Sequence, residues 1–160
     1  MKPTLDYATA LELLGQPRMW KKAARVLAAL GDARALLPLV RAYELRAEIS
    51  RLPLLDAMER LGAAQQAARL YASAADDEER RLALHLMELF PNQAHLPALA
   101  QAAQSAVPGL RGQAGRSLVC QPYSPAWEAV MVNLLESPDE RVRNWAQEGL
   151  RLSGHRPNQD

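Results

Sequence analysis

The chain has 160 residues and a formal net charge of +1, with 19 Lys and Arg against 18 Asp and Glu. Hydrophobic residue types make up 49% of it and aromatic residues only 5%, which is typical of close-packed helices rich in Ala and Leu rather than of strands. Its length suits one domain with its own core. The balanced charge excludes the global positive footprint of most proteins that bind nucleic acids or membrane surfaces, so any basic patch is local.

Ten amphipathic helices in five consecutive pairs are predicted along the chain. Helix stops recur about every thirty residues, at Gly31, Gly62 and Pro91. The first helices of the pairs are predicted at 5–14, 33–46, 64–74, 93–105 and 124–136. The second helices are predicted at 18–30, 51–61, 77–90, 110–119 and 139–152. Because one pair cannot bury its apolar stripe alone, the pairs are expected to stack into a right-handed array that spans residues 1–154.

Glycines and prolines refine this prediction at particular places. Gly31 and Gly62 each follow the last apolar residue of a helix, which predicts a helix end with positive φ at both. Both residue types crowd the segment from Val107 to Ser124, which predicts an irregular fourth pair. The last six residues, 155–160, contain a proline and no apolar residue, so they are expected to form a disordered tail.

Two segments resemble a known repeat family. One is Ala23-Ala24-Arg25-Val26-Leu27-Ala28-Ala29-Leu30-Gly31-Asp32, followed by Pro38, and the other is Pro138-Asp139-Glu140-Arg141-Val142-Arg143, continuing to Ala146 and Leu150. Both are similar to the short HEAT-like repeats first described in phycobilisome lyases. The resemblance implies an all-α fold, a right-handed α-solenoid of about five HEAT-like helix pairs. It also implies that the second helices line a concave side, where a partner would bind. Tetratricopeptide repeats are the lesser alternative.

A row of arginines is predicted along the second helices. Alignment of these helices places Arg51, Arg80, Arg111 and Arg143 at one repeat position, which Trp20 occupies in the first pair. Equivalent residues become neighbours in a stacked array. One interpretation is that the guanidiniums bond acids or carbonyls of adjacent repeats and tie the stack together. The other is that they present their donors to an acidic partner.

The predicted second helix of the first pair is the most basic element of the chain. Trp20 stands beside Lys21, Lys22 and Arg25, and no acidic residue occurs from Gly15 through Leu30. An aromatic anchor surrounded by positive charge is the composition enriched in interface hot spots. The competing interpretation makes Trp20 a core or capping residue and the charges a means of solubility. The candidate partner-binding residues are Trp20, Lys21, Arg25, Arg51, Arg80, Arg111 and Arg143.

No catalytic site, metal site or cofactor is predicted. Cys120 is the only cysteine, and His85 and His95 lie on different predicted helices with no ligand constellation around them. The residues from Met1 to Gly15 lack a signal pattern, and no apolar run approaches the roughly 18 residues of a membrane span. Together with the lone cysteine, this predicts a cytoplasmic protein without a membrane association.

The function predicted from the sequence is that of a non-enzymatic adaptor, which binds an acidic segment of another protein on its concave surface. Two alternatives stay open: a lyase-like or DNA-repair-type HEAT-repeat enzyme, and a nucleic-acid-binding protein. The second would need a continuous positive stripe, which the acidic run from Asp76 to Glu79 interrupts.

Overall fold

The computed structural model of the chain describes residues 4–46 and 50–154. Within these ranges the chain forms ten α-helices, two short 3₁₀ helices and no strand, so the predicted all-α class is confirmed. The α-helices, numbered α1 to α10 in chain order, are Tyr7–Leu14, Trp20–Leu30, Leu36–Leu45, Leu52–Arg60, Ala63–Ala72, Asp77–Leu89, Leu96–Ala102, Pro108–Val119, Pro125–Leu134 and Glu140–Leu152. The tail predicted at 155–160 lies outside the described residues.

Every predicted helix is present, with its bounds displaced by no more than three residues. The largest displacements are three residues, at the starts of α3 and α7, where 3₁₀ turns at Ala33–Ala35 and Gln93–His95 open the helices, and at the end of α7. The side chains of Asp32 and Asn92 accept backbone N–H bonds two residues further on, which supports these tight turns. Caps and stops therefore predicted the boundaries to within three residues, but not the kind of first turn or the early end of α7.

Two glycines end helices in the left-handed region, as predicted. Gly31 has φ of 71° after α2, and Gly62 has φ of 76° between α4 and α5. The N–H of Gly31 donates to the carbonyl of Ala28, which satisfies one of the last carbonyls of α2. At these two positions a residue with a Cβ would be strained.

The predicted irregularity of the fourth pair is wrong for its second helix. Helix α8 is continuous from Pro108 to Val119, although it contains three glycines. A Cβ atom at Gly115 would lie 3.0 Å from Cδ1 of Trp145 on α10, so the missing side chain lets α10 approach closely. The low helix propensity of glycine is offset here by close helix packing.

The chain divides into two compact units, Met1–Gln66 and Ala67–Asp160. In the first unit, α2 packs against both α1 and α4, and α3 packs against α4. Its core contains the fully buried side chains of Leu27, Leu36, Leu39, Leu54 and Met58. Burial of these large aliphatic groups is the main stabilising contribution within the unit.

In the second unit, α8 lies between α6 and α10, while α7 packs on α8 and α9 packs on α10. The second helices of three consecutive pairs are therefore side-by-side neighbours. Two polar side chains, one on α8 and one just after its end, bond α6: Ser117 donates to the carbonyl of Leu84 at 2.8 Å, and Gln121 donates to the carbonyl of Met87 at 3.0 Å. These buried bonds fix the position of α8 along α6.

Candidate partner-binding surface

Trp20 is a buried residue. It begins α2 and is only 3% exposed. The guanidinium carbon of Arg46 lies 4.8 Å from the centroid of one of its rings, and the ammonium of Lys21 lies 5.4 Å from it. Such cation–π contacts add to the packing of an indole that is already removed from water. The burial favours the interpretation of Trp20 as a core residue over that of an exposed anchor.

Three of the row arginines bond backbone carbonyls in the last turn of the first helix of their own pair or shortly after that helix. Nη1 of Arg51 donates to the carbonyl of Tyr43 at 3.1 Å, Nη1 of Arg111 to that of Ser105 at 2.9 Å, and Nη1 of Arg143 to that of Ser137 at 2.7 Å. These three guanidiniums therefore bond the chain's own backbone, but the carbonyls belong to their own pairs and not, as the structural interpretation had expected, to adjacent repeats.

In the first pair, a residue outside the row bonds the carbonyl at the end of the first helix. Trp20, at the row position, has no guanidinium, and the carbonyl of Leu14 at the end of α1 is bonded by Nη2 of Arg46 at 3.2 Å. Arg46 follows α3 directly and lies against the Trp20 ring. Arg46 was not among the residues predicted from the sequence, and the replacement of arginine by tryptophan in the row was the signal that could have pointed to a substitute donor.

Arg80 is the exception within the row. Its Nη1 atom bonds the carboxylate of Asp77 at 2.8 Å, within the first turn of α6. The neighbouring acids are also engaged locally, since Asp76 accepts from the backbone N–H of Glu79 and Glu79 accepts from that of Ala75. Acidic groups at a helix N-terminus are stabilised by the helix dipole. The acidic run therefore serves to begin α6.

Arg111 also connects two helix pairs of the second unit. Its Nε atom donates to Oδ2 of Asp139 at 2.9 Å, and Asp139 caps α10 by accepting from the backbone N–H of Arg141. The hydrogen bond from Arg111 is the main reason why the pKa of Asp139 is lowered to about 2. Both residues line a cleft of about 530 Å³ between the loops that precede α8 and α10.

Positive charge is exposed on α2 and in the turn before it. Lys21, Lys22 and Arg25 on α2 and Arg18, two residues before its start, are exposed, and we name these four residues the basic face. In the part of the chain that the structure describes, Arg18, Lys22 and Arg25 form no ion pair or hydrogen bond through their side chains, and the Lys21 ammonium lies over the Trp20 ring. Of the seven predicted site residues, Lys21 and Arg25 are thus the two whose charges are directed to solvent.

The groups that could support enzymatic chemistry are few. Among the described residues no group of three or more His, Cys, Asp or Glu could hold a metal ion. His85 and His95 are both buried. Partial burial and the Glu88 carboxylate raise the pKa of the Cys120 thiol, so the group is mainly protonated at neutral pH, whereas nucleophilic catalysis requires the thiolate.

None of the described helices is long and apolar enough to cross a membrane.

Comparisons with known proteins bear on the fold alone. No family model matches the sequence, and no curated protein matches it. The chain is similar to the crystal structure of an engineered protein, with a TM-score of 0.52 and 18% sequence identity over 93% of this chain and 80% of that chain. At such low identity the likeness concerns the arrangement of helices and carries no information on a binding site.

Proposed function

We propose that the chain is a non-enzymatic adaptor built from short HEAT-like repeats in a right-handed solenoid, and that it holds an acidic segment of another protein. The succession of helix pairs and the side-by-side packing of α6, α8 and α10 support the repeat architecture. Its site is the basic face on α2, within the second-helix layer where the family resemblance leads us to expect binding. The lone Cys120 fits a reducing, cytoplasmic setting.

The observation that carries this proposal is the contrast between two sets of cations. Arg51, Arg111 and Arg143 bond the chain's own carbonyls, whereas the side chains of Arg18, Lys22 and Arg25 form no ion pair or hydrogen bond in the part of the chain that the structure describes. Residues 1–66 contain ten Lys and Arg against seven Asp and Glu, and residues 67–160 contain nine against eleven. Positive charge is therefore concentrated in the first unit, which would steer an acidic partner toward α2.

Affinity capture from the native cell extract, followed by mass spectrometry, tests the proposal. The baits are the wild-type chain and two charge reversals at exposed arginines, Arg25→Glu on the basic face and Arg69→Glu on α5 as the matched control. We expect a stoichiometric protein that the wild type and Arg69→Glu retain and that Arg25→Glu loses. Equal retention by all three baits would remove the basic face from the site.

The nucleic-acid alternative is tested by titrating a DNA duplex at increasing salt concentration. Contacts with phosphates weaken steeply as salt rises, because bound counterions are released. We expect no binding at moderate ionic strength, since the basic face contains only four cations. Tight binding with a steep salt dependence, lost in Arg25→Glu, would replace the adaptor proposal.

A further inference from the structure

A cleft opens in the first unit next to the basic face. It has a volume of about 510 Å³ and lies between α1, the loop after it and α3. Its lining is mainly apolar and includes Leu11, Leu14, Pro17, Pro38 and Leu45. Clefts of this size accommodate the large side chains or small molecules that proteins bind.

Leu45 is the most unusual residue of this lining. It ends α3 and is 79% exposed, although α3 buries other leucines completely. A large apolar side chain at the edge of an apolar cleft is a common feature of protein-binding surfaces. The cleft therefore offers a partner both a recess and an exposed leucine to cover.

The charged residues of the cleft lining are both positive. Arg41 lies one turn before Leu45 on α3, and Arg18 directly follows Pro17. Both are exposed, and neither side chain forms an ion pair or hydrogen bond in the described ranges 4–46 and 50–154. The lining contains Arg41 and Arg46 but no Asp or Glu. An occupant that is apolar in the recess and acidic beside it would complement this surface.

We propose that the cleft takes an apolar side chain of the acidic partner segment, so that the partner is amphipathic and carries Leu, Ile, Met or Phe beside Asp or Glu. This inference rests on the proposed function and names the partner's chemistry. Arg18 connects the two surfaces, because it belongs to the basic face and follows the cleft residue Pro17. A short helix can present an apolar side chain and acids one turn apart in this manner.

A small amphiphile such as a fatty acid is the competing occupant. Pockets for small molecules commonly enclose about 70–90% of the ligand's surface. The high exposure of Leu45 shows that this cleft is open to solvent, which favours a longer segment that covers it from outside.

Three fluorescein-labelled peptides of equal length test the inference by fluorescence anisotropy at low salt. The first carries two Leu residues one turn apart among Glu and Ala, the second has both Leu replaced by Ala, and the third has every Glu replaced by Lys. We expect the first peptide to bind about tenfold more tightly than the second, because a buried leucine adds roughly that factor. The third should not bind.

Variants of the protein locate the bound leucine. Leu45→Ser should weaken binding of the first peptide about tenfold without changing the melting temperature, since the side chain is exposed. Leu152→Ser, at another exposed leucine in the second unit, is the matched control and should have no effect. In ¹⁵N–¹H spectra the first peptide should shift the amides of Leu11 and Leu45.

The outcomes separate this inference from the proposed function. One outcome is that the first two peptides bind equally, with an affinity that Arg25→Glu lowers and Leu45→Ser leaves unchanged. This result overturns the cleft proposal, while the adaptor proposal stands. If neither binds, the cleft proposal is overturned, and the capture experiment with Arg25→Glu decides the adaptor proposal by itself. Decanoate serves as a probe for small amphiphiles. If it shifts the amide signals of Leu11 and Leu45 and the first peptide does not, the cleft is assigned to small amphiphiles and the proposal is overturned.

Discussion

Trp20 shows how a residue can occupy a position in a repeat without sharing the role of that position. Three of the four equivalent arginines bond backbone carbonyls of their own pairs, whereas the indole is buried and the carbonyl of Leu14 is bonded by Arg46, which lies 26 positions away in sequence. The sequence predicted the row and left both roles of Trp20 open. The sequence could not decide between these roles, because they depend on where the fold places Arg46, directly after α3, relative to the Trp20 ring.

Replacement of Trp20 tests its assignment to the core. We expect Trp20→Ala to lower the free energy of unfolding by about 3 kcal/mol or more, because a large buried ring is removed and a cavity is left. Urea denaturation measures the effect. Trp20→Phe, which keeps an aromatic ring in place, should lower the free energy of unfolding clearly less than Trp20→Ala. A fully stable Trp20→Ala protein that no longer binds the partner would return Trp20 to the site as an anchor.

Positive φ at Gly31 gives a second prediction at this scale, with Gly109 as a matched control. A Cβ atom at either position would meet nothing within 4 Å, but only Gly31 has a left-handed backbone. Gly31→Ala should therefore lose about 1 kcal/mol of stability, while Gly109→Ala, within α8, should gain about 0.5–1 kcal/mol from helix propensity. Thermal melts of the two variants provide the comparison. Equal shifts would contradict the backbone explanation.

For the helices, local sequence signals were sufficient to predict that each one exists and to place its ends within three residues. Gly31, Gly62 and the N-cap residues delimit helices through backbone chemistry that depends on a few neighbouring residues. Helix α8 was harder to predict, because its glycines argue against a helix when only local propensity is considered. Their spacing of three residues, at Gly109, Gly112 and Gly115, was the unused signal, since it places all three on one face.

The close approach of α10 to α8 can be tested at Gly115. We expect Gly115→Val to destabilise the protein by about 2 kcal/mol, because the new side chain overlaps Trp145. Trp145→Ala in the same chain should recover part of the loss, as a double-mutant cycle from urea denaturation would show. Effects of the two substitutions that simply add would mean that the helices do not meet at these residues.

The bond between Arg111 and Asp139 predicts a pH dependence. The pKa of Asp139 is lowered in the folded chain to about 2, so the stabilisation is complete above its ordinary pKa of 3.8 and is lost as the pH falls from there through 2. The carboxyl ¹³C signal of Asp139 should therefore titrate near pH 2 in the wild type. In Arg111→Gln its midpoint should rise toward the ordinary value, and an unchanged midpoint would exclude Arg111 as the main cause.

For the molecule as a whole, the sequence predicted the type of architecture better than the place of function. Periodic helices and stops indicate an all-helical chain because those signals are local. The candidate site needed knowledge of which charges are already bonded, and the sequence alone treats Arg25 and Arg143 alike. The structure separates them, since Arg143 bonds the carbonyl of Ser137 while Arg25 is exposed and makes no such bond within the described residues.

Site-specific photo-crosslinking shows directly whether a partner docks on the basic face. A p-benzoylphenylalanine placed at exposed Ala29, one turn beyond Arg25, leaves every charge of the basic face intact, and the same group at exposed Gln147 on α10 is the control. We expect irradiation in the native extract to produce one protein adduct from position 29, abolished by Arg25→Glu, and none from position 147. An adduct that forms at position 147 and not at position 29 would contradict the account.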